Sequence, residues 1–272
     1  MTAPADGTIR LGVAGWPVAH SKSPAMQNAA LQVLGLAPQW RYLRLPLPPD
    51  RFAETVRALP AHGFRGINVT IPHKEAALAL ATTATPTARA IGAANTLTFD
   101  PATGAIHADN TDAPGILEVI PPEHDPAGRT ALVLGAGGAA RAALYALLQA
   151  GARDVAVHNR TRERAERMVA EIGGGRVVDA PIAAEIVVNA TSIGLDAFKG
   201  LPLPADTVVA GSCVVDMVYR VGGTELSRTA HAKGAVGIDG LEVLVAQGAA
   251  SLERWTGRPA PRDAMREAAR AP

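Results

Sequence analysis

The chain has 272 residues, 48% of them hydrophobic and 19% charged, with a formal net charge of +1. That length supplies one large or two modest domains with ample core, and a near-neutral chain without basic runs or aromatic-interleaved patches argues against nucleic acid or an anionic membrane as partner. Cys213 stands alone, which excludes an internal disulfide and fits a reducing compartment.

The opening MTAPADGTIR has no apolar signal core, so a cytoplasmic protein is expected. Ile9–Gly15 reads as a strand running into Trp16-Pro17, followed by His20-Ser21-Lys22-Ser23-Pro24. Pro24 suits the first turn of a helix with Ser23 as its cap, and Ala25–Leu34 continues helically to Gly35. The Ser21 and Ser23 hydroxyls can cap that helix or hold a carboxylate, and the sequence leaves both readings open. Gln39–Leu45 alternates as a strand, and Arg51–Leu59 reads as a helix. The β-rich run Gly66–Ile71 contains Thr70 and stops at Pro72, with Lys74 just beyond, at the mouth of an alanine-rich helix. On its own, such a lysine is most simply a solvated surface cation. Asn95 enters a hairpin built from Thr96–Phe99 and Ala105–Asn110 around a turn at Pro101–Gly104. Asp112 leaves the hairpin and, taken alone, is an N-cap for a helix Ala113–Val119.

The polar stretch Pro121–Arg129 connects this half to the segment around which the rest is organised, Thr130–Arg164. Its most membrane-like window, Ala131–Ala150, is interrupted by three glycines and Arg141, and is better read as a strand plus a buried helix. Ala131–Leu134, the turn Gly135-Ala136-Gly137-Gly138-Ala139, an Ala/Leu-rich helix and Asp154–His158 make a βαβ unit with a dinucleotide fingerprint. Glycines there permit the tight turn and let backbone N–H groups approach a pyrophosphate, which the helix N-terminus favours. No carboxylate follows the second strand to take a ribose 2′-hydroxyl; Asn159, Arg160, Thr161, Arg162 and Arg164 stand there instead. Guanidinium groups pair well with a 2′-phosphate, so the expected cofactor is NADP. Beyond it come a helix Arg162–Ile172, a strand Ile186–Asn189 opening onto Ala190-Thr191-Ser192-Ile193-Gly194, and a buried strand Cys213–Tyr219. A helix Glu225–Lys233, a strand Ala235–Ile238, a helix Leu241–Arg254 after Gly240, stopped by Trp255-Thr256-Gly257, and a short helix Asp263–Arg270 complete the chain.

Nine short motifs in one order resemble the shikimate dehydrogenase family over nearly the whole length. They are Ser21–Asn28, Asn68–Lys74, Ala93–Thr96, Asp109–Asp112, Gly135–Ala142, Asn159–Ala165, Asn189–Gly194, Asp216–Tyr219 and Gly240–Gln247. The resemblance implies an α/β fold of two domains with a cleft between them: a discontinuous substrate-binding domain, 1–111 plus 240–272, and a Rossmann-type doubly wound NADP-binding domain, 112–239. It implies NADPH-dependent reduction of 3-dehydroshikimate to shikimate, on the route to chorismate and the aromatic amino acids, by a monomer or homodimer without a metal. By the same resemblance Lys74 and Asp112 are the catalytic pair. Ser21, Ser23, Thr70, Asn95, Tyr219 and Gln247 serve the substrate. Gly135–Ala139 hold the pyrophosphate, Asn159, Arg160, Thr161 and Arg164 select the 2′-phosphate, and Thr191, Met217 and Gly240 lie near the nicotinamide. Three positions depart from the family pattern: Gln27 where histidine is frequent, Ala108 where glycine is, and Val243 where methionine is. They leave open a relative acting on quinate or an aminated analogue, with NAD among its cofactors, and a non-catalytic dinucleotide-binding regulator is the reading from another class.

Overall fold

The computed structural model describes residues 7–195, 199–220 and 222–271, so the opening MTAPAD lies outside the described residues. The chain divides into two compact units: one runs to Thr111 and resumes at Gln247–Ala271, the other is Asp112–Ala246. Each is built on its own six-stranded sheet.

The first unit begins with β1 (Ile9–Gly15), α1 (Ser23–Val33), β2 (Trp40–Pro46), α2 (Pro49–Ala58) and β3 (Phe64–Val69). It continues with α3 (Lys74–Leu80), β4 (Thr83–Ala84), α4 (Pro86–Ile91), β5 (Thr96–Phe99) and β6 (Ile106–Asp109). Strand order is β2-β1-β3-β5-β6-β4, with β1 parallel to both β2 and β3, and the β5–β6 hairpin antiparallel. Leu11, Val13, Ile67 and Leu97 are buried because central strands are covered on both faces, whereas the edge strand β2 buries only Tyr42. Helix α1 starts at Ser23 itself, with Lys22 in the N-cap position and no side-chain cap. The cap expected from Ser23 is therefore not found; Pro24 draws Ser23 into the first turn, and the backbone N–H of Ser23 donates instead to Ser21 Oγ at 3.3 Å.

The second unit contains α5 (Asp112–Val119), β7 (Thr130–Leu134), α6 (Gly138–Gln149), β8 (Asp154–His158), α7 (Arg162–Ile172) and β9 (Arg176–Val177). After these come β10 (Ile186–Asn189), β11 (Cys213–Asp216), α8 (Glu225–Ala232) and β12 (Val236–Ile238). All strands are parallel in the order β12-β11-β10-β7-β8-β9, the doubly wound arrangement whose direction of growth reverses at β7. Val133, Leu144, Leu147, Val157, Val188 and Val215 fill one side of this sheet. The division between the units falls within α9 (Gly240–Thr256), and α10 (Arg262–Arg270) follows in the first unit.

Several expected boundaries shift, among them the run read as Gly66–Ile71, which is the strand Phe64–Val69, and the helix read as Arg51–Leu59, which is Pro49–Ala58; two further shifts have a visible cause. The strand read as Cys213–Tyr219 ends at Asp216, because the Val218 N–H donates to Asp216 Oδ1 at 3.1 Å and turns the chain out of the ladder. Helix α9 includes Gly240, Trp255 and Thr256, and ends where Gly257 adopts φ +67°. Among the described residues no helix is long and apolar enough to cross a membrane.

Cys213 is fully buried in β11, and burial pushes its thiol up to about 11. A disulfide thiol reagent at neutral pH is expected to leave the native protein unlabelled and to titrate one thiol after denaturation; rapid native labelling would contradict this packing.

Candidate functional site

The first unit gathers its polar side chains at the carboxyl end of β3 and around the β5–β6 hairpin. Tyr42 Oη donates to Asn68 Oδ1 at 2.7 Å, and Asn68 Nδ2 donates to Ser251 Oγ at 2.8 Å. Asn95 Nδ2 donates to Thr111 Oγ1 at 2.9 Å and to Gln247 Oε1 at 3.2 Å, while its Oδ1 accepts from the Thr111 N–H at 2.7 Å. Thr96 Oγ1 lies 2.8 Å from Ser251 Oγ, and Thr111 Oγ1 lies 3.1 Å from it. Every member is buried, so each bond operates in a low dielectric and the network fixes the amides of Asn95 and Gln247. Asn95 and Gln247, singled out by sequence, are thus brought together. Asn68, Thr96, Thr111 and Ser251 carry no signal of a site role in the sequence by themselves; the i, i+4 spacing of Gln247 and Ser251 on α9 is the signal that points to a shared helix face.

Thr70 follows β3, its N–H bonded to Ala14 O at 2.9 Å, and Lys74 is the half-buried first residue of α3. The Lys74 carbonyl accepts from the Ala94 N–H at 2.9 Å, which ties the start of α3 to the residue before Asn95. Ser21 and Ser23 are buried at the start of α1. Gln27 is fully buried and donates to Gly248 O at 2.9 Å, so its departure from the family pattern is a matter of α1–α9 packing. Ala108 is buried in β6, and Val243 joins the core of the second unit.

In the second unit, Gly135 sits at φ +109° directly after β7, and a Cβ there would stand 3.0 Å from Ala190 O. Gly135 is therefore required by the turn and by the neighbouring loop. Gly137 is different: it has extended backbone, and a Cβ on it would meet nothing within 4 Å. It is also the N-cap of α6 without a side-chain cap, so the first-turn N–H groups of a 12-residue helix lack a side-chain acceptor. A glycine that the chain itself does not need, at an uncapped helix start after β7, fits a pyrophosphate. Gly138 and Ala139 are half-buried beside it, and Ala136 is buried.

At the end of β8, Asn159 Nδ2 donates to Thr161 O at 2.7 Å and shapes the turn. Of the three arginines there, Arg162 is taken up by Glu166 at 2.7 Å and by Asp179, and these partners raise its pKa. Arg160 and Arg164 are exposed and form no ion pair among the described residues. These two cations, with no carboxylate closing the strand, fit a 2′-phosphate better than a ribose 2′-hydroxyl.

The end of β10 is held by Asn189, whose Oδ1 accepts from Thr191 Oγ1 at 2.7 Å and whose Nδ2 donates to Asp216 Oδ1 at 2.8 Å. Thr224 Oγ1 donates to Asp216 Oδ2 at 2.5 Å, and the Met217 N–H donates to Asn189 O at 3.0 Å. Burial raises the pKa of Asp216, opposed by hydrogen bonds from Thr224, Val218 and Asn189. Gly240 belongs to the same assembly, since a Cβ there would stand 2.7–2.8 Å from the backbone of Asp216, Met217 and Val218. Thr191, Met217 and Gly240 are thus drawn together by Asn189 and Asp216, two residues to which the motifs alone assign no role. Tyr219 is half-buried on the loop after β11, and Asp112 is buried as the first residue of α5.

A parallel sheet whose strand order reverses at β7, with a glycine turn after that central strand and an uncapped helix start following it, defines a dinucleotide-dependent protein of Rossmann type. Three family models match: the shikimate dehydrogenase substrate binding domain over residues 13–97, shikimate / quinate 5-dehydrogenase over 122–192, and the shikimate 5'-dehydrogenase C-terminal domain over 240–270. The shikimate dehydrogenase (NADP(+)) of Paracoccus denitrificans is 44% identical over 94% of this chain and 94% of its own length, and that of Methylobacterium radiotolerans is 47% identical over 94% and 93%. A Thermus thermophilus shikimate 5-dehydrogenase, solved in complex with NADP(H) and shikimate, superposes with a TM-score of 0.87 at 42% identity, covering 97% of this chain and 99% of that one. The chain belongs to the shikimate dehydrogenase family.

Proposed function

We propose that the protein interconverts 3-dehydroshikimate and shikimate with NADP(H), on the route to aromatic amino acids. The observation that carries this reading is the likeness, over nearly the whole chain, to relatives named for that reaction and cofactor. Gly137 supports a bound dinucleotide, and Arg160 and Arg164, which form no ion pair among the described residues, support NADP over NAD.

The bound dinucleotide supplies the hydride that reaches the substrate's carbonyl carbon. The oxygen then carries developing negative charge, and Lys74 donates the proton to it, or takes it back in the reverse direction. Asp112 is the second group assigned to the proton's path. The Asn95 amide is taken up by Thr111, Thr96 and Gln247, so it serves the substrate by holding Gln247, which orients a substrate hydroxyl with little ordering left to do. Ser21 and Ser23 take the carboxylate together with Tyr219. Thr70 stands at the end of β3 to meet the same ligand. Gly135–Ala139 bind the pyrophosphate, Asn159 and Thr161 shape the 2′-phosphate turn, and Thr191, Met217 and Gly240 bound the nicotinamide end.

The test is a steady-state assay of purified protein with shikimate or quinate and with NADP or NAD, read as NADPH or NADH absorbance. The expected kcat/KM is highest for shikimate with NADP. Removing both Arg160 and Arg164 as alanines should raise KM for NADP by about a hundredfold, from about 1.5 kcal/mol for each charge-assisted bond, and leave KM for NAD nearly unchanged. Higher efficiency with quinate would move the substrate assignment, and equal use of NAD and NADP by the wild type would remove the cofactor assignment.

A further inference from the structure

Lys74 opens α3, and the residue before it is a buried histidine whose side chain the proposed reaction does not use. The His73 Nε2 lies 2.6 Å from the carbonyl of Leu47; a carbonyl only accepts, so Nε2 carries the proton and donates. Its ring stacks on Phe52 of α2, with centroids 4.2 Å apart and planes 10° apart. Burial lowers the His73 pKa, so the imidazole is held neutral, with the Leu47 bond opposing that shift.

The bond to Leu47 closes a ring. The Leu47 N–H donates to Gly15 O at 3.1 Å, and the Thr70 N–H donates to Ala14 O at 2.9 Å. The His73 N–H returns to Thr70 O at 2.9 Å, while the Trp16 N–H bonds Ile71 O at 3.0 Å across the middle. The carboxyl ends of β1, β2 and β3 are thereby fastened to one another and to the start of α3. All these links are main chain to main chain except the imidazole of His73. Without it, the segment between Thr70 and Lys74 keeps its links to β1 and the Ala94 bond to the Lys74 carbonyl but loses its tie to the end of β2, and a backbone shift at His73 passes directly to the adjacent Lys74.

We propose that His73 is a positioning residue for this reaction, its Nε2–H fixing the start of α3 so that Lys74 is presented in reactive geometry. The proposal rests on the assignment of Lys74 as proton donor and acceptor given above.

The test compares His73→Met, His73→Gln and Lys74→Met with wild type, using shikimate and NADP. Methionine is a flexible core filler that lacks the donor, while glutamine carries an N–H that reaches the same carbonyl. His73→Met should lower kcat by about tenfold or more, the scale of a sub-ångström to one-ångström misplacement, with KM for NADP unchanged. His73→Gln should recover most of that loss. Wild-type kcat in His73→Met, or no recovery in His73→Gln, overturns the positioning role. Should His73→Met not fold, His73→Phe, which keeps a ring against Phe52, replaces it under the same criteria. A Lys74→Met variant with normal kcat would instead overturn the assignment of Lys74 and leave His73 with nothing to position; loss in Lys74→Met with normal His73→Met would overturn only the present proposal.

Discussion

Lys74→Ala is expected to lower kcat by about two orders of magnitude or more, with KM for NADP little changed and the melting temperature unchanged or slightly raised. The kinetic part follows from the chemistry: an alkoxide forming at the carbonyl oxygen needs a proton or a cation as it forms, and an alanine supplies neither. The stability part follows from where the lysine stands. It is the first residue of α3, at the positive end of the helix, where a cation is unfavourable by about 0.3–1 kcal/mol. The helix dipole by itself disfavours lysine there, so loss of turnover without loss of stability would be the signature of a group kept for chemistry. The measurements are steady-state kcat in both directions and a thermal melt of the same sample. Near-normal turnover would remove Lys74 from the reaction, and a large fall in melting temperature would show that the lysine holds the fold and that the kinetic loss is secondary.

The parts that sequence made legible are those governed by short-range periodicity. The βαβ unit from Thr130 to His158 and the helix Arg162–Ile172 carry their own apolar runs and glycine breaks, and they occur where the sequence places them. Strands β4 and β9 are two residues long and have no periodicity to detect. The end of β11 is not legible in the sequence, because the apolar run continues past Asp216 and only the buried carboxylate's bond to the Val218 N–H stops the ladder. At the site the dividing line is similar. Glycines and charges announce themselves, whereas the Asn68–Asn95–Ser251 network joins residues distant in sequence and becomes visible only when α9 returns to the first sheet. Arg162 differs from Arg160 and Arg164 in having Glu166 at i+4, which the sequence shows, and Asp179 beyond β9, which only the fold brings to it.

The contrast between two glycines yields the largest expected effect on stability. Gly66→Ala should destabilise the protein by about 3 kcal/mol, at the upper end for overpacking, seen as a lower urea midpoint with an unchanged slope. Gly66 lies inside β3, and a Cβ there would stand 2.1 Å from Trp255 Nε1 and 2.7 Å from Leu97 O. The indole cannot simply swing away: it is buried, its N–H donates to Leu97 O at 3.2 Å, and its ring lies 6.3 Å from that of Tyr42. Moving it either orphans a buried donor or pushes β5 from β3, and it displaces the helix that carries Gln247 and Ser251. Gly137→Ala is the counterpart. Its backbone is extended and its Cβ direction is empty, so the stability cost should stay within about 1 kcal/mol, the scale of a poorer N-cap. That methyl would instead occupy the space assigned to the pyrophosphate, so KM for NADP should rise while folding is nearly untouched. If Gly66→Ala unfolds at the wild-type midpoint, the packing of Trp255 against β3 is wrong; if Gly137→Ala binds NADP normally, the glycine turn does not hold the pyrophosphate.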